Sequence, residues 1–164
     1  VALVRLLAEA AGAEEGMVHG QALDMAATGG GGEGATAERA LEELHRRKTG
    51  ALLRAAVLMG ARVGGALPGQ PRWEALDGYA RALGLAFQVA DDVLDCTADS
   101  ATLGKTAGKD VAQGKVTYPA LLGLEGARAK AAALRDQALA SLASLGDPAE
   151  PLRALARYVV DRPS

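Results

Sequence analysis

Gln88, Asp91, Asp92 and Asp95 stand at i, i+3, i+4 and i+7, the spacing that stacks side chains on one face of an α-helix. Carboxylates crowded in this way repel by roughly 0.2–0.5 kcal/mol per neighbouring pair on an exposed helix, and by more where water is thinned out. They also fall in the last turns of the apolar pattern that carries them, where the negative end of the helix dipole disfavours further negative charge. A positive partner is expected. Hard carboxylate oxygens suit Mg²⁺, which keeps several waters and is commonly shared between one or two carboxylates and substrate phosphates. The competing reading is a solvated acidic helix end; the core-type residues beside the stripe favour the metal.

Positive charge is found at two other places. His45, Arg46, Arg47, Lys48, Thr49 and Gly50 interrupt an apolar helical pattern. Such a patch is ordinarily a solvated face, but apolar residues on both sides make Lys48 and Thr49 candidates to reach inward to an anion. Gly50 permits a kink or a close approach there. Lys105, Lys109 and Lys115 come after the acidic helix end in the longest irregular stretch, 99–119, whose glycines Gly104 and Gly108 give it the character of a lid. Gly104, Lys105 and Thr106 do not make a nucleotide P-loop, because Asp99 stands where that motif needs glycine. Nor do residues 92–99 begin an EF-hand, for want of its turn glycine and terminal glutamate. Nearer the start, Gln21 and Asp24 share a face at i, i+3, and Gly16 and Gly20 recur four residues apart. Each glycine costs about 1 kcal/mol in a helix interior relative to alanine, so the pair is expected to admit another backbone closely. His19 has no second histidine at metal spacing and reads as a surface or packing residue.

The elements that must position these groups are all helical. Leu76, Tyr79, Ala80, Leu83, Phe87, Ala90 and Leu94 recur at three- and four-residue steps, predicting a central helix over about 72–96 with one buried face. Helices are predicted over 2–11 and about 14–28, then from about 36 through the basic patch, with Leu41, Leu44, Leu52, Leu53, Ala56, Val57 and Met59 inward. Residues 28–34, with four consecutive glycines, read as a flexible turn and 64–71 as a loop. Helices over 118–126, 127–145 and 149–161 complete an all-α chain packed around one core.

Composition excludes several classes. With 164 residues, 49% hydrophobic and 23% charged, the chain is long enough for one globular domain. A net charge of −2 provides no general attraction to nucleic acid or anionic membrane, and no apolar run is long enough for stable membrane insertion. The lone Cys96 rules out a disulfide framework and fits a reducing compartment; without a signal-peptide pattern, a cytoplasmic location is expected. The apolar pattern already under way at Leu3, Leu6 and Leu7 reads as a chain entered in mid-fold.

Five motifs in order now converge: Gly-Met-Val-x-Gly-Gln-Ala-Leu-Asp at 16–24, His-x-x-Lys-Thr-Gly at 45–50, Phe-Gln-x-x-Asp-Asp-x-x-Asp at 87–95, Leu-Gly-Lys at 103–105, and Gly-Lys-Asp…Lys-x-Thr-Tyr-Pro at 108–119. Together they resemble the trans-isoprenyl diphosphate synthases, in particular the bacterial farnesyl or geranyl diphosphate synthase branch. The resemblance implies a helical bundle, the C-terminal part of the isoprenoid synthase (class I terpenoid synthase) fold. Residues 1–164 would then be the C-terminal portion of one polyprenyl synthetase domain, without the half that carries the family's earlier aspartate-rich motif and isopentenyl diphosphate-binding Lys, Arg and His groups.

The implied activity is Mg²⁺-dependent head-to-tail condensation of an allylic diphosphate with isopentenyl diphosphate, yielding a product of farnesyl or geranylgeranyl type. By similarity Asp91 binds Mg²⁺, with Asp92 and Asp95 close by or acting through water, and Asp110 as an outer partner. Lys48 and Lys105 contact the allylic diphosphate, and Lys115 assists. Gln21, Asp24, Thr49 and Gln88 line the reacting centre and Phe87 flanks the prenyl cavity; the catalytic set so implied is Lys48, Thr49, Gln88 and Lys105. Members of the family are usually homodimers. The alternative is a non-catalytic helical partner of a complete synthase, since the first aspartate motif is missing from these residues. A terpene cyclase using the same aspartates is disfavoured by the patterns at 45–50 and 103–110.

Overall fold

The computed structural model describes residues 1–27, 34–102 and 116–162, with side chains described as far as Thr97 in the central helix. In chain order these are α1 (Ala2–Ala11), α2 (Met17–Ala26), α3 (Gly34–His45), a π-helical turn (Arg46–Gly50), α4 (Ala51–Val63), α5 (Pro71–Thr102), α6 (Tyr118–Ser141) and α7 (Glu150–Asp161). Two short 3₁₀ turns, Ala143–Leu145 and Asp147–Ala149, join the last two helices. The described residues contain no strand, as the all-α expectation required. The glycine-rich turn at 28–33 and the lysine-bearing stretch at 103–115 lie outside the described residues.

Helix α5 is the axis. Pro71, with its fixed φ and missing N–H, suits the first helical position, and Glu74 Oε1 accepts the Gly69 N–H at 3.1 Å to close the start. The expected apolar stripe is present, but Ala82, Leu85, Ala86 and Val89 are buried as well. Nearly the whole circumference from Tyr79 to Ala90 is therefore covered, as expected of a helix apolar on several faces. On one side Tyr79 and Leu83 pack with Ala138 and Leu142 of the α6 end and with Ala156 and Val159 of α7. On another, Leu85 and Val89 meet Leu41 of α3 and Tyr118, Ala127 and Ala131 of α6. Trp73 closes the third cluster with Leu58 and Ala61 of α4.

Polar ties fix the ends of these packings. The buried Tyr79 hydroxyl donates to Leu152 O at 2.8 Å, and Arg153 Nη2 donates to Leu142 O and Gly146 O at 3.0 and 2.8 Å. Asp77 is buried on α5 and accepts from Arg54 of α4 and Arg81 of its own helix. Burial raises its pKa, but the two guanidinium hydrogen bonds outweigh that and hold the carboxyl below its usual range. Lys130 of α6 reaches Glu38 of α3 at 2.6 Å.

Several boundaries differ from the sequence reading. Gly16 caps α2 from outside instead of sitting in its interior, so the helix begins at Met17 and not at 14. The helix expected through the basic patch is broken by the π turn at Arg46–Gly50. Helix α5 runs on to Thr102, beyond the polar residues that suggested an end at 96; an α-helix closes its backbone hydrogen bonds within itself whether its side chains are polar or apolar. The interruption in α6 falls at Gly123, whose φ of 72° and ψ of 164° suit a residue without a Cβ. Thr117 caps α6, its side chain accepting the Ala120 N–H, with Pro119 in the first turn. At the edge, Leu3, Val4 and Leu7 of α1 and Val18 and Met25 of α2 are exposed.

Candidate active site

The π turn holds Lys48, and two glycines determine where it lies. A Cβ at Gly20 of α2 would stand 2.2 Å from Lys48 N and 2.5 Å from Lys48 Cα, far inside van der Waals contact. On the other side a Cβ at Gly84 of α5 would come within 3.1 Å of Gly50 Cα. The basic turn is thus wedged between two helices, each of which lacks a side chain where it passes. The close approach expected of Gly20 and of Gly50 is realised. A π-helical turn widens the helix by one residue and rotates the succeeding turns about the axis; here the result is that Lys48 faces inward and Arg46 outward, paired with Glu43 beside Arg47.

Lys48 Nζ donates to Asp24 Oδ2 at 2.6 Å, with side-chain exposures of 34% and 18%. Both residues line a cavity of about 700 Å³ bounded by α2, α3, the π turn, α5 and the start of α6. Its apolar wall is Leu23, Leu41 and Leu44; its polar wall on α5 is Gln88, Asp91 and Asp92. Asp92 Oδ2 accepts the Tyr118 backbone N–H at 3.0 Å. Asp91 Oδ1 accepts from Arg162 Nη2 at 3.2 Å while 46% of its side chain stays exposed.

The expected site residues thus divide. Asp24, Lys48, Gln88, Asp91 and Asp92 come together around one cavity. Gln21 is exposed on α2, and Thr49, in the π turn, is half-buried without lining the cavity. Phe87 packs against the Tyr79 and Leu83 cluster, with the Arg162 guanidinium 5.4 Å from its ring centre. Asp95 is exposed and lies beyond the cavity lining, roughly 6 Å further along the helix axis than Asp91. Lys105, Asp110 and Lys115 lie outside the described residues.

The donor set suits a hard divalent cation. Asp91 and Asp92 offer carboxylate oxygens and Gln88 an amide oxygen on one wall, and Mg²⁺ ordinarily takes only one or two protein carboxylates. Among the described residues no three His, Cys, Asp or Glu side chains gather as a metal-holding group. Three contributors lay beyond sequence reasoning. Arg162 and Asp91 are 71 positions apart with no pattern linking them. Tyr118 and His45 belonged to recognised motifs, yet only the fold stacks their rings, with centroids 5.8 Å apart. Burial first, and the Lys48 charge second, lower the His45 pKa to about 4 against an opposing pull from Asp24; burial and the charges of Glu42, Asp92 and Glu38 raise that of Tyr118.

The Polyprenyl synthetase family model matches residues 1–146. The chain is 48% identical over 165 residues to the farnesyl diphosphate synthase of Escherichia coli (strain K12), covering 99% of this chain and 53% of that protein. It is 47% identical over 157 residues to the chloroplastic geranylgeranyl pyrophosphate synthase 11 of Arabidopsis thaliana, covering 95% and 43%. The chain therefore spans about half the length of the curated relatives it matches. Among solved structures, an apo FPP/GFPP synthase from Zymomonas mobilis superposes with a TM-score of 0.77 at 39% identity, covering 97% of this chain and 50% of that one. A geranyltransferase from Helicobacter pylori, complexed with magnesium and isoprenyl diphosphate, gives 0.74 at 31% identity, covering 98% and 50%.

Proposed function

This chain belongs to the polyprenyl synthetase family, and from that premise we propose that it carries one half of a prenyltransferase site. The reaction is condensation of an allylic diphosphate with isopentenyl diphosphate to a short-chain isoprenyl diphosphate of farnesyl or geranylgeranyl type. The observation that carries the reading is the meeting of Lys48 with Asp91, Asp92 and Gln88 around one cavity that also has a leucine wall. An amine, two carboxylates and apolar surface are what a prenyl diphosphate needs at its two ends.

In the reaction the allylic C–O bond breaks and its electron pair leaves with diphosphate. The cation formed is taken by the double bond of isopentenyl diphosphate, and a proton is lost. Lys48 binds the departing diphosphate more strongly as its charge grows, which favours the transition state over the ground state. Asp24 holds Lys48 aimed into the cavity until an anion competes for it. Leu23, Leu41 and Leu44 keep water from the cation. Asp91 and Asp92 would hold Mg²⁺, which supplies positive charge to the leaving group when bound. By resemblance Lys105 and Lys115 would add contacts to the diphosphate and Asp110 would support the metal ligands from outside; Asp95, Gln21, Thr49 and Phe87 do not line this cavity, so the roles the motifs imply for them would be exercised only where the substrates extend beyond it.

The chain is read as the C-terminal portion of a single domain whose other half supplies the first aspartate motif. The exposed apolar residues of α1 and α2 support packing against further protein, either that half or a second copy in a homodimer. No helix among the described residues is long and apolar enough to cross a membrane; the cytoplasmic location we propose is supported by the lone, free Cys96, which fits a reducing compartment. The test is pyrophosphate release by the complete native gene product given geranyl diphosphate, isopentenyl diphosphate and Mg²⁺. Asp91→Ala is expected to cost on the order of 10²–10³-fold in turnover; a near-normal rate would sink the assignment.

A further inference from the structure

His45 is the last residue of α3, directly before the π turn, with 9% of its surface exposed. Both ring nitrogens are buried without a hydrogen-bond partner among the described residues, although the residue lines the cavity. A phenylalanine or leucine would fill the same volume without the desolvation cost of two unpaired nitrogens, so packing alone does not account for an imidazole here. Nor is the ring loosely held. It stacks on Tyr118 at an interplanar angle of 26°, and Tyr118 is itself held by Asp92, through the backbone N–H, and by Lys130, with Nζ 5.3 Å from the ring centre. Lys48 comes three residues later on the same wall. With its pKa lowered to about 4 by burial and by the Lys48 charge, the ring is neutral near pH 7 and presents one N–H and one bare nitrogen.

We propose that His45 contacts the ligand: a shift of the ring along the face of Tyr118 uncovers one of its buried nitrogens, and the imidazole donates a hydrogen bond to the anionic group that Lys48 binds. This deepens the diphosphate reading of the cavity and rests on it. A fixed N–H beside an ammonium group adds direction to the charge, because the ammonium can approach an oxygen from many angles and the stacked ring from few.

The experiment is calorimetric titration of the complete native gene product with inorganic pyrophosphate and Mg²⁺ at pH 7.5. The proteins compared are the parent, His45→Phe, His45→Gln and Lys48→Ala. His45→Phe keeps ring volume and stacking and loses the donor. It is expected to unfold at the same or a higher denaturant concentration while its pyrophosphate Kd rises about tenfold, with His45→Gln recovering part of the loss. Parent-like affinity in His45→Phe overturns the inference. If Lys48→Ala is weakened in the same series, the site reading survives that result; if Lys48→Ala is also unchanged, the site reading falls too. Should His45→Phe fail to fold, the His45 ring ¹⁵N–¹H signal of the parent, assigned by its loss in His45→Gln, decides. A shift on pyrophosphate addition supports the contact, and an unmoved signal refutes it.

Discussion

The two polar walls of the cavity are held by different physics. The lysine wall is fixed by exclusion: Gly20 and Gly84 leave room for the π turn, and the backbone of Lys48 and Gly50 occupies it to near contact. The aspartate wall is fixed by exchangeable bonds, Asp92 to the Tyr118 N–H and Asp91 to Arg162. Steric contact does not yield to a ligand, whereas a hydrogen bond or an exposed ion pair can be traded for a metal or a water. The backbone that carries the lysine is built to stay, while the Lys48 ammonium, paired with Asp24, and the carboxylates can change partners.

The largest expected effect breaks the rigid wall. Gly20→Ala puts a methyl group 2.2 Å from Lys48 N, and the nearest neighbours are backbone atoms that cannot rotate away. Overpacking of that kind costs roughly 1–3 kcal/mol and occasionally more, so a clear drop in urea midpoint is expected together with weakened pyrophosphate binding. Gly84→Ala, at 3.1 Å from Gly50 Cα, asks only a few tenths of an ångström of its neighbour and is expected to cost less. Equal losses in the two variants would show that the wedge does not set the turn.

A second test is acidification. The His45 pKa is about 4 in the fold against an ordinary 6.5, so between those values the unfolded chain binds the extra proton and the native chain does not. Stability from this group is complete above about pH 6.5 and is lost as pH falls toward 4, by at most about 3 kcal/mol. Denaturant midpoints at pH 7.5 and 4.5 should fall further in the parent than in His45→Phe; identical losses in both would exclude His45 as the cause.

The smallest effect is expected on the exchangeable wall. Arg162→Ala removes an ion pair whose side chains are 24% and 46% exposed and should change stability by no more than about 1 kcal/mol. Mg²⁺ affinity measured by calorimetry should hold or improve, because Asp91 is released. A large loss of stability would mean that Arg162 acts through its packing on Phe87 and not through the ion pair.

Much of this was legible beforehand because helices repeat with a known period. The apolar stripe from Leu76 to Leu94 located the axis, and the shared face of Gln88, Asp91 and Asp92 is the face that lines the cavity. Gly20 signalled close approach because a glycine in a helix interior needs a reason. Gly84 sent no such signal, being one small residue among the alanines of a buried helix. Helical spacing could not tell that Asp95 lies past the cavity, since a shared face says nothing about where along the axis the opposite wall ends.

The sequence alone determined the helical class, the family and the identity of the groups proposed to meet a diphosphate, because periodicity and motif spacing are local along the chain. Only the tertiary structure decided that Lys48 enters on a π turn between two glycines, that Arg162 returns to Asp91, and that His45 lies stacked on Tyr118 with both nitrogens unpaired among the described residues. Those contacts join residues tens of positions apart, and their geometry depends on how closely whole helices can approach, which no local pattern records.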